Sequence, residues 1–332
     1  RSNSGGGISR IGVICHEFGH VLGAKDFYDT DYGTGGQYDG TGDWDMMASG
    51  NWNNDGITPA HHNPYNRITV YGWATATTLS SPTQVTLLNS AENSNSFYRF
   101  NTTTANEYFL IENRQQLKFD ASIPGHGMLI YHVDGSFITS HTGSNDINAG
   151  DHQGMYPVCA NASGNPTAVY GTINGSGCPF PGTGAKTLFG DTTTPHSKSW
   201  AGANTAQPLS GITENSTDKT VTFNFMAAVF IGGGGDNLFS NAANWLGGSV
   251  PATNMDILIF LGKYMFVDMD YTCRTLMFGI GSSFYCKDPN ILTITGNILR
   301  ANGTAAIEVN SSIEVSSSIE IANSTPLPPP LP

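Results

Sequence analysis

The chain is 332 residues long, enough for two or three domains at roughly 100 to 200 residues each. It carries 14 Lys plus Arg against 26 Asp plus Glu, a net charge of −12, which argues against nucleic acid or an anionic membrane as partner, since both require basic surface. No apolar run approaches the roughly 18 residues that a membrane-spanning helix needs, and the opening "RSNSGGGISR" lacks the apolar core of a signal peptide.

In chain order, "IGVICHEFGHVL" (11–22) spaces Ile11, Ile14, Phe18, Val21 and Leu22 as one apolar helical stripe, which is expected to be buried. Gly23 ends that helix. Within it, His16 and His20 stand four residues apart, so both imidazoles project from one face a turn apart and can serve one metal ion. Glu17, beside the first histidine, is placed to take a proton from a water activated by the metal and pass it to a leaving amine. Gly23 permits a positive φ that turns the chain sharply, so that Asp26, three residues further on, can return a carboxylate oxygen to the same ion. Zinc fits this donor set, because it accepts tetrahedral N and O ligands and keeps a fourth position open.

A turn-rich loop, "DFYDTDYGTGGQYDGTGDWD", follows, then the small-residue stretch "MMASGNW". Asp29, Asp31, Asp39, Asp43 and Asp45 make calcium a second candidate ion, although no EF-hand spacing is present and turn chemistry alone explains aspartates there. "TPAHHNPYNRITVYGW" (58–73) reads as a second helix, begun near Pro59 and closed by Gly72. His61 and His62, being adjacent, point in different directions and read as structural or exposed.

From residue 76 the period becomes that of strands: "QVTLL", "SFYRF", "EYFLIENR", "GMLIYHVD" and "KTVTFNF", separated by Gly, Asn, Asp and Pro turns. His132 and Asp134 share a strand face and read as a half-buried pair. The glycine run in "MAAVFIGGGGD" marks a boundary. Near the end "IEVNSS", "IEVSSS" and "IEIANS" (307–324) repeat every six residues, as expected of a β-solenoid flank, and "TPLPPPLP" reads as a polyproline tail. Cys159 with Cys178, and Cys273 with Cys286, are candidate local disulfides; Cys15 is left over as a buried helix residue.

HExxHxxGxxD, as it stands at 16–26, resembles the metzincin zinc-peptidase signature in its Asp-terminated form, and "DFYDTDY…GDWDMMASGNWN…NPYNRITVYGW" is similar to the immune inhibitor A family, the M6 peptidases. The likeness continues into "EYFLIENRQ", "GHGMLIYHVD" and "HQGMYPVCAN". It implies a zinc endopeptidase acting on protein or peptide substrates, with His16, His20 and Asp26 as ligands, Glu17 as general base, and Met47 as the methionine of a turn below the metal. It also implies an upstream sheet whose edge strand pairs with substrate. The chain has no initiator Met and no counterpart of that sheet before His16, so it is expected to be a piece of a longer precursor and inactive alone.

The expected fold class is α+β. The C-terminal part of a metzincin-like catalytic domain (active-site helix, Met-turn, second helix) occupies 1–75, a β-sandwich-like module 76–228, a β-solenoid-like region 229–324 and a Pro-rich tail 325–332. Few charges and many Ser, Thr, Asn and Gly residues fit a secreted or cell-surface protein, with surface or glycan contacts open to the C-terminal region. The alternative functions are an adhesive or carbohydrate-binding protein with an inactive zinc-site remnant, and a zinc protein without proteolytic activity.

Overall fold

The computed structural model describes residues 9–300 except 32, 34, 35, 247, 280, 287 and 288, with the backbone of 313–315; Arg300 too is described by backbone alone. The fold is mixed α and β. The chain folds as two compact units, one comprising Arg1–Leu79, Thr86–Gln207 and Ile212–Thr222, the other Ser80–Val85, Pro208–Gly211 and Phe223–Pro332. Among the described residues no helix is long and apolar enough to cross a membrane.

The first described element of the first unit is the helix Ile11–Val21. Its expected burial is reversed. Gly12, His16 and Gly19 face inward, while Ile14 and Phe18 are each 57% exposed and Val21 76%. Close packing decides the orientation: a β-carbon on Gly12 would lie 1.9 Å from the Asn51 carbonyl oxygen, so the backbone of 49–56 approaches the helix only along its glycine face. The second helix is also shorter than expected, with its wide-turn segment confined to Asn66–Val70. Asn63 delays its start. Its backbone and side-chain amides are held by Asp45, and its Oδ1 accepts the Asn66 amide, which satisfies an otherwise orphan donor at the helix start.

Strands fall at Ala76–Thr78, Phe97–Asn101, Glu107–Arg114, Gly127–Asp134 and Met155–Pro157, in that order across one sheet. The first pair is parallel and the others antiparallel. A separate sheet takes Thr83–Leu87, Thr220–Phe225, Leu209–Asn215 and Leu188–Phe189 in that order. One core joins the helical segment to the five-stranded sheet, with Phe27, Trp44 and Met47 packed among Leu129, Tyr131, Met155 and Cys178. Residues before and after position 76 thus share their apolar contacts.

The second unit is a parallel stack. Ala228–Phe230, Ile257–Ile259, Leu276–Phe278 and Ile298–Arg300 pair in register on one face; Tyr264–Val267 with Ser283–Cys286, and Tyr271–Cys273 with Leu292–Ile294 and Ile313–Val315, form the others. From Ile257 onward each rung advances the chain by 19 to 22 residues, as the pairings Ile257↔Leu276 and Leu276↔Ile298 show, whereas the first step, Ala228↔Ile257, takes 29. This solenoid-like region therefore repeats at a longer period than six. Its signal is the apolar-x-apolar triplet, "ILI", "LMF" or "LTI", with outer residues buried and the middle one partly exposed. Of the hexad block 307–324 only the backbone of Ile313–Val315 is described; the rest of that block and the Pro-rich tail lie outside the described residues.

All five cysteines are free thiols, so neither expected disulfide is formed. Cys159 and Cys178 are nonetheless hydrogen-bonded neighbours, and burial pushes the Cys178 thiol well up.

Candidate metal centre

His16 and His20 occupy successive turns of the first helix, their rings edge to face with centroids 4.8 Å apart. Each Nδ1 lies against a backbone carbonyl: His16 at 2.9 Å from the Met46 oxygen, His20 at 3.0 Å from that of Ala24. A carbonyl only accepts, so each Nδ1 carries the proton and each neutral ring presents a lone pair at Nε2. Gly23, at φ +102°, then turns the chain, and Asp26 comes back with Oδ1 at 3.2 Å from His16 Nε2 and 3.3 Å from His20 Nε2.

Asp26 is clamped by a residue far along the chain. Its backbone amide donates to Asn145 Oδ1 at 3.0 Å, and Asn145 Nδ2 donates to its Oδ2 at 2.7 Å. Oδ1 is left buried without a hydrogen-bond partner. Three lone-pair atoms thus converge with no donor among them, which costs free energy unless a cation lies between. The ligand atoms all lie within 4.8 Å of one another. Tetrahedral zinc ligands at about 2.0 to 2.1 Å would stand about 3.3 Å apart, close to the observed Nε2 to Oδ1 separations. The residues present therefore fit the ion that the resemblance implies.

The electrostatics agree. Burial works against charge on His16, but a protonated Nε2 would donate to Asp26, and that bond, the Met46 carbonyl and the charges of Asp26 and Glu17 outweigh burial and raise the pKa. For Asp26 burial is likewise the largest single influence and is overcome by the bond that a protonated His16 would donate and by the one from Asn145, leaving the carboxyl lowered. Both directions mark a pocket that favours positive charge, by proton or by metal.

Both methionines of "WDMMASG" act here, in different ways. Met46 orients His16 through its carbonyl. Met47 is fully buried, and its carbonyl accepts the Phe27 amide at 2.8 Å, tying the Asp26 loop to this turn. A β-carbon on Gly19 would lie 2.5 Å from Met47 Sδ and 3.0 Å from His62 Cε1. That glycine, between the two histidines, lets the methionine pack beneath them. Gly19→Ala should destabilise the fold by about 1 to 3 kcal/mol through overpacking, against the roughly 1 kcal/mol gain in helix propensity; a thermal melt with an unchanged or higher midpoint would contradict this.

Asp45 holds the turn itself. Its carboxylate accepts from the Met47 amide, the Thr41 hydroxyl and both Asn63 amides, at 2.6 to 3.1 Å. This occupation removes it from the calcium candidates. Asp29 accepts the Asp31 amide, and Asp31 that of Gly33. Among the described residues, His16, His20 and Asp26 form the group that could hold a metal, and no acidic loop residue joins one. Glu17 is exposed and lines a cleft of 620 Å³ together with His16.

The family comparison bears on this arrangement. Residues 7–68 match the immune inhibitor A peptidase M6 catalytic domain. No curated protein matches the chain significantly. The M6 segment contains His16, Glu17, His20, Gly23, Asp26 and Met47, but ends well before Asn145, the residue that aims Asp26. Sequence reasoning missed Asn145, since an asparagine in "GSNDIN" carries no pattern linking it to a loop aspartate 119 positions earlier. Asn145→Ala should weaken zinc binding by about 10- to 100-fold, as losing an outer-shell partner does; competition with a chromophoric chelator checks it.

His61 and His62 lie outside the ligand group. His61 pairs with Asp120 at 3.1 Å, and His62 meets the Tyr71 hydroxyl at 3.2 Å, both as structural contacts. His132 is buried between Glu107 and Tyr156, whereas Asp134 accepts from His152 and caps the helix Gly135–His141. The two therefore take separate partners.

Proposed function

We propose that the protein is a zinc-dependent endopeptidase of the metzincin type, hydrolysing peptide bonds in protein substrates. One observation carries the reading: a buried, partnerless Asp26 oxygen facing two imidazole lone pairs whose tautomers are set by backbone carbonyls. His16, His20 and Asp26 would hold the ion. When bound, zinc supplies Lewis acidity, polarising a peptide carbonyl and lowering the pKa of water at its open position.

The remaining work falls to the chain. Glu17 sits on the cleft side of the helix next to a ligand, where its carboxylate takes a proton from the attacking water and delivers it to the amide nitrogen as the C–N bond breaks. Met46, Met47, Asp45 and Asn145 fix the ligands so that little reorganisation accompanies binding. The M6 match over residues 7–68 supports the peptidase assignment. Secretion or display at the cell surface belongs to the same reading, supported by the low charged fraction of 12%.

The test is metal analysis together with proteolysis by the full-length natural protein. The reading expects one zinc per chain and cleavage of casein that is lost on chelation and restored by zinc. Zinc binding without cleavage of any protein substrate would leave a non-proteolytic zinc protein, and absence of zinc binding would leave the adhesive alternative.

A further inference from the structure

The cleft beside His16 and Glu17 has a composition that selects among substrates. Its lining includes Tyr28, Asp29, Tyr38, Asp39, Asn51 and Trp52, and with Glu17 it holds three carboxylates but no lysine or arginine. These acids do not converge on a point, since none belongs to a metal-competent group among the described residues. Carboxylates spread along a cleft suit an extended cationic side chain better than a bare ion, which needs its oxygens gathered at about 2.3 to 2.6 Å.

An independent observation points the same way. Asn51 is 6% exposed, and its Oδ1 is a buried acceptor without a hydrogen-bond partner. An orphan acceptor calls for a donor, and ammonium and guanidinium groups are donors only. Trp52, 62% exposed, offers with the two tyrosines the flat apolar surface on which a long aliphatic stem packs and over which its charge is attracted. Resting on the peptidase reading above, we propose that this cleft receives a lysine or arginine side chain of the substrate adjoining the scissile bond, with Asp29 and Asp39 meeting its charge.

Partial desolvation and the neighbouring Asp43 carboxylate raise the Asp39 carboxyl above its ordinary value, a like-charge strain that a bound cation relieves. An apolar side chain would desolvate the exposed Asp39 carboxylate without compensation, and an acidic one would add repulsion beside Asp39 and the buried Asp29.

The experiment uses the Glu17→Ala protein, zinc-loaded and metal-free, and three fluorescein-labelled pentapeptides identical except for Lys, Leu or Glu at the centre. Anisotropy titration should show the Lys peptide binding on the order of tenfold tighter than the Leu peptide, with Glu weakest. The preference should vanish in the combined Asp29→Asn, Asp39→Asn protein and turn towards the Glu peptide in Asp39→Lys, a reversal that misfolding cannot produce. Equal binding of the three peptides overturns the proposal, as does saturable calcium binding at these carboxylates without peptide preference. Lysine-selective binding with no cleavage by the unsubstituted protein would keep the cleft and retire the peptidase reading; cleavage without selectivity would do the opposite.

Discussion

Alanine at Glu17 is expected to leave zinc binding unchanged and to lower peptide hydrolysis by about 10²- to 10⁴-fold, the range that a positioned general base supplies. Alanine at Asp26 should do something different, weakening zinc binding by more than the roughly 100-fold that loss of an outer partner costs. The contrast follows from position. Asp26 is 6% exposed and its Oδ1 completes the group with His16 and His20, whereas Glu17 is solvent-exposed on the cleft side and belongs to no such group. Metal stoichiometry and initial rates, measured on both variants, separate the roles. If Glu17→Ala lost its zinc, or kept most of its activity, the assignment of Glu17 as base would fail.

The convergence of His16, His20 and Asp26 was legible because local geometry writes it into adjacent residues. Two histidines at helical spacing and a glycine that tolerates φ +102° determine where Asp26 must arrive. The helix's orientation was not legible from hydropathy. Its apolar stripe reads as the buried face, yet close backbone approach at Gly12 and Gly19 turns the small-residue face inward. Asn145 and Arg114 were invisible for another reason: each acts across 70 or more positions, and a single polar residue carries no period. In the second unit, a rung near twenty residues with only three-residue strands leaves weak alternation, so "ILI" and "LMF" carry less periodic signal than the hexads.

Arg114→Met is expected to destabilise the protein by about 3 to 5 kcal/mol, the cost of stranding buried carboxylates. Arg114 is fully buried at the end of the strand Glu107–Arg114. Its guanidinium donates twice to Asp120, at 2.6 and 3.0 Å, once to Glu112 at 3.3 Å and once to the Trp44 carbonyl at 2.9 Å. The last bond fixes the residue before Asp45, so the sheet holds the turn that orients His16 and Met47. Burial alone would raise the Asp120 carboxyl; Arg114 and then His61 outweigh it and hold it well below the usual carboxylate range. A depressed folded value means that this stabilisation is complete above the unfolded value of roughly pH 4 and is lost as pH falls through the folded one. Urea unfolding of Arg114→Met at neutral pH should therefore show a lower midpoint. Adding Asp120→Leu should recover part of the loss by removing one stranded charge. The single substitution should also weaken zinc binding, because the Trp44 anchor goes with the guanidinium. An unchanged urea midpoint, or a double variant less stable than the single one, would show that the pair does not carry the coupling between the sheet and the metal centre.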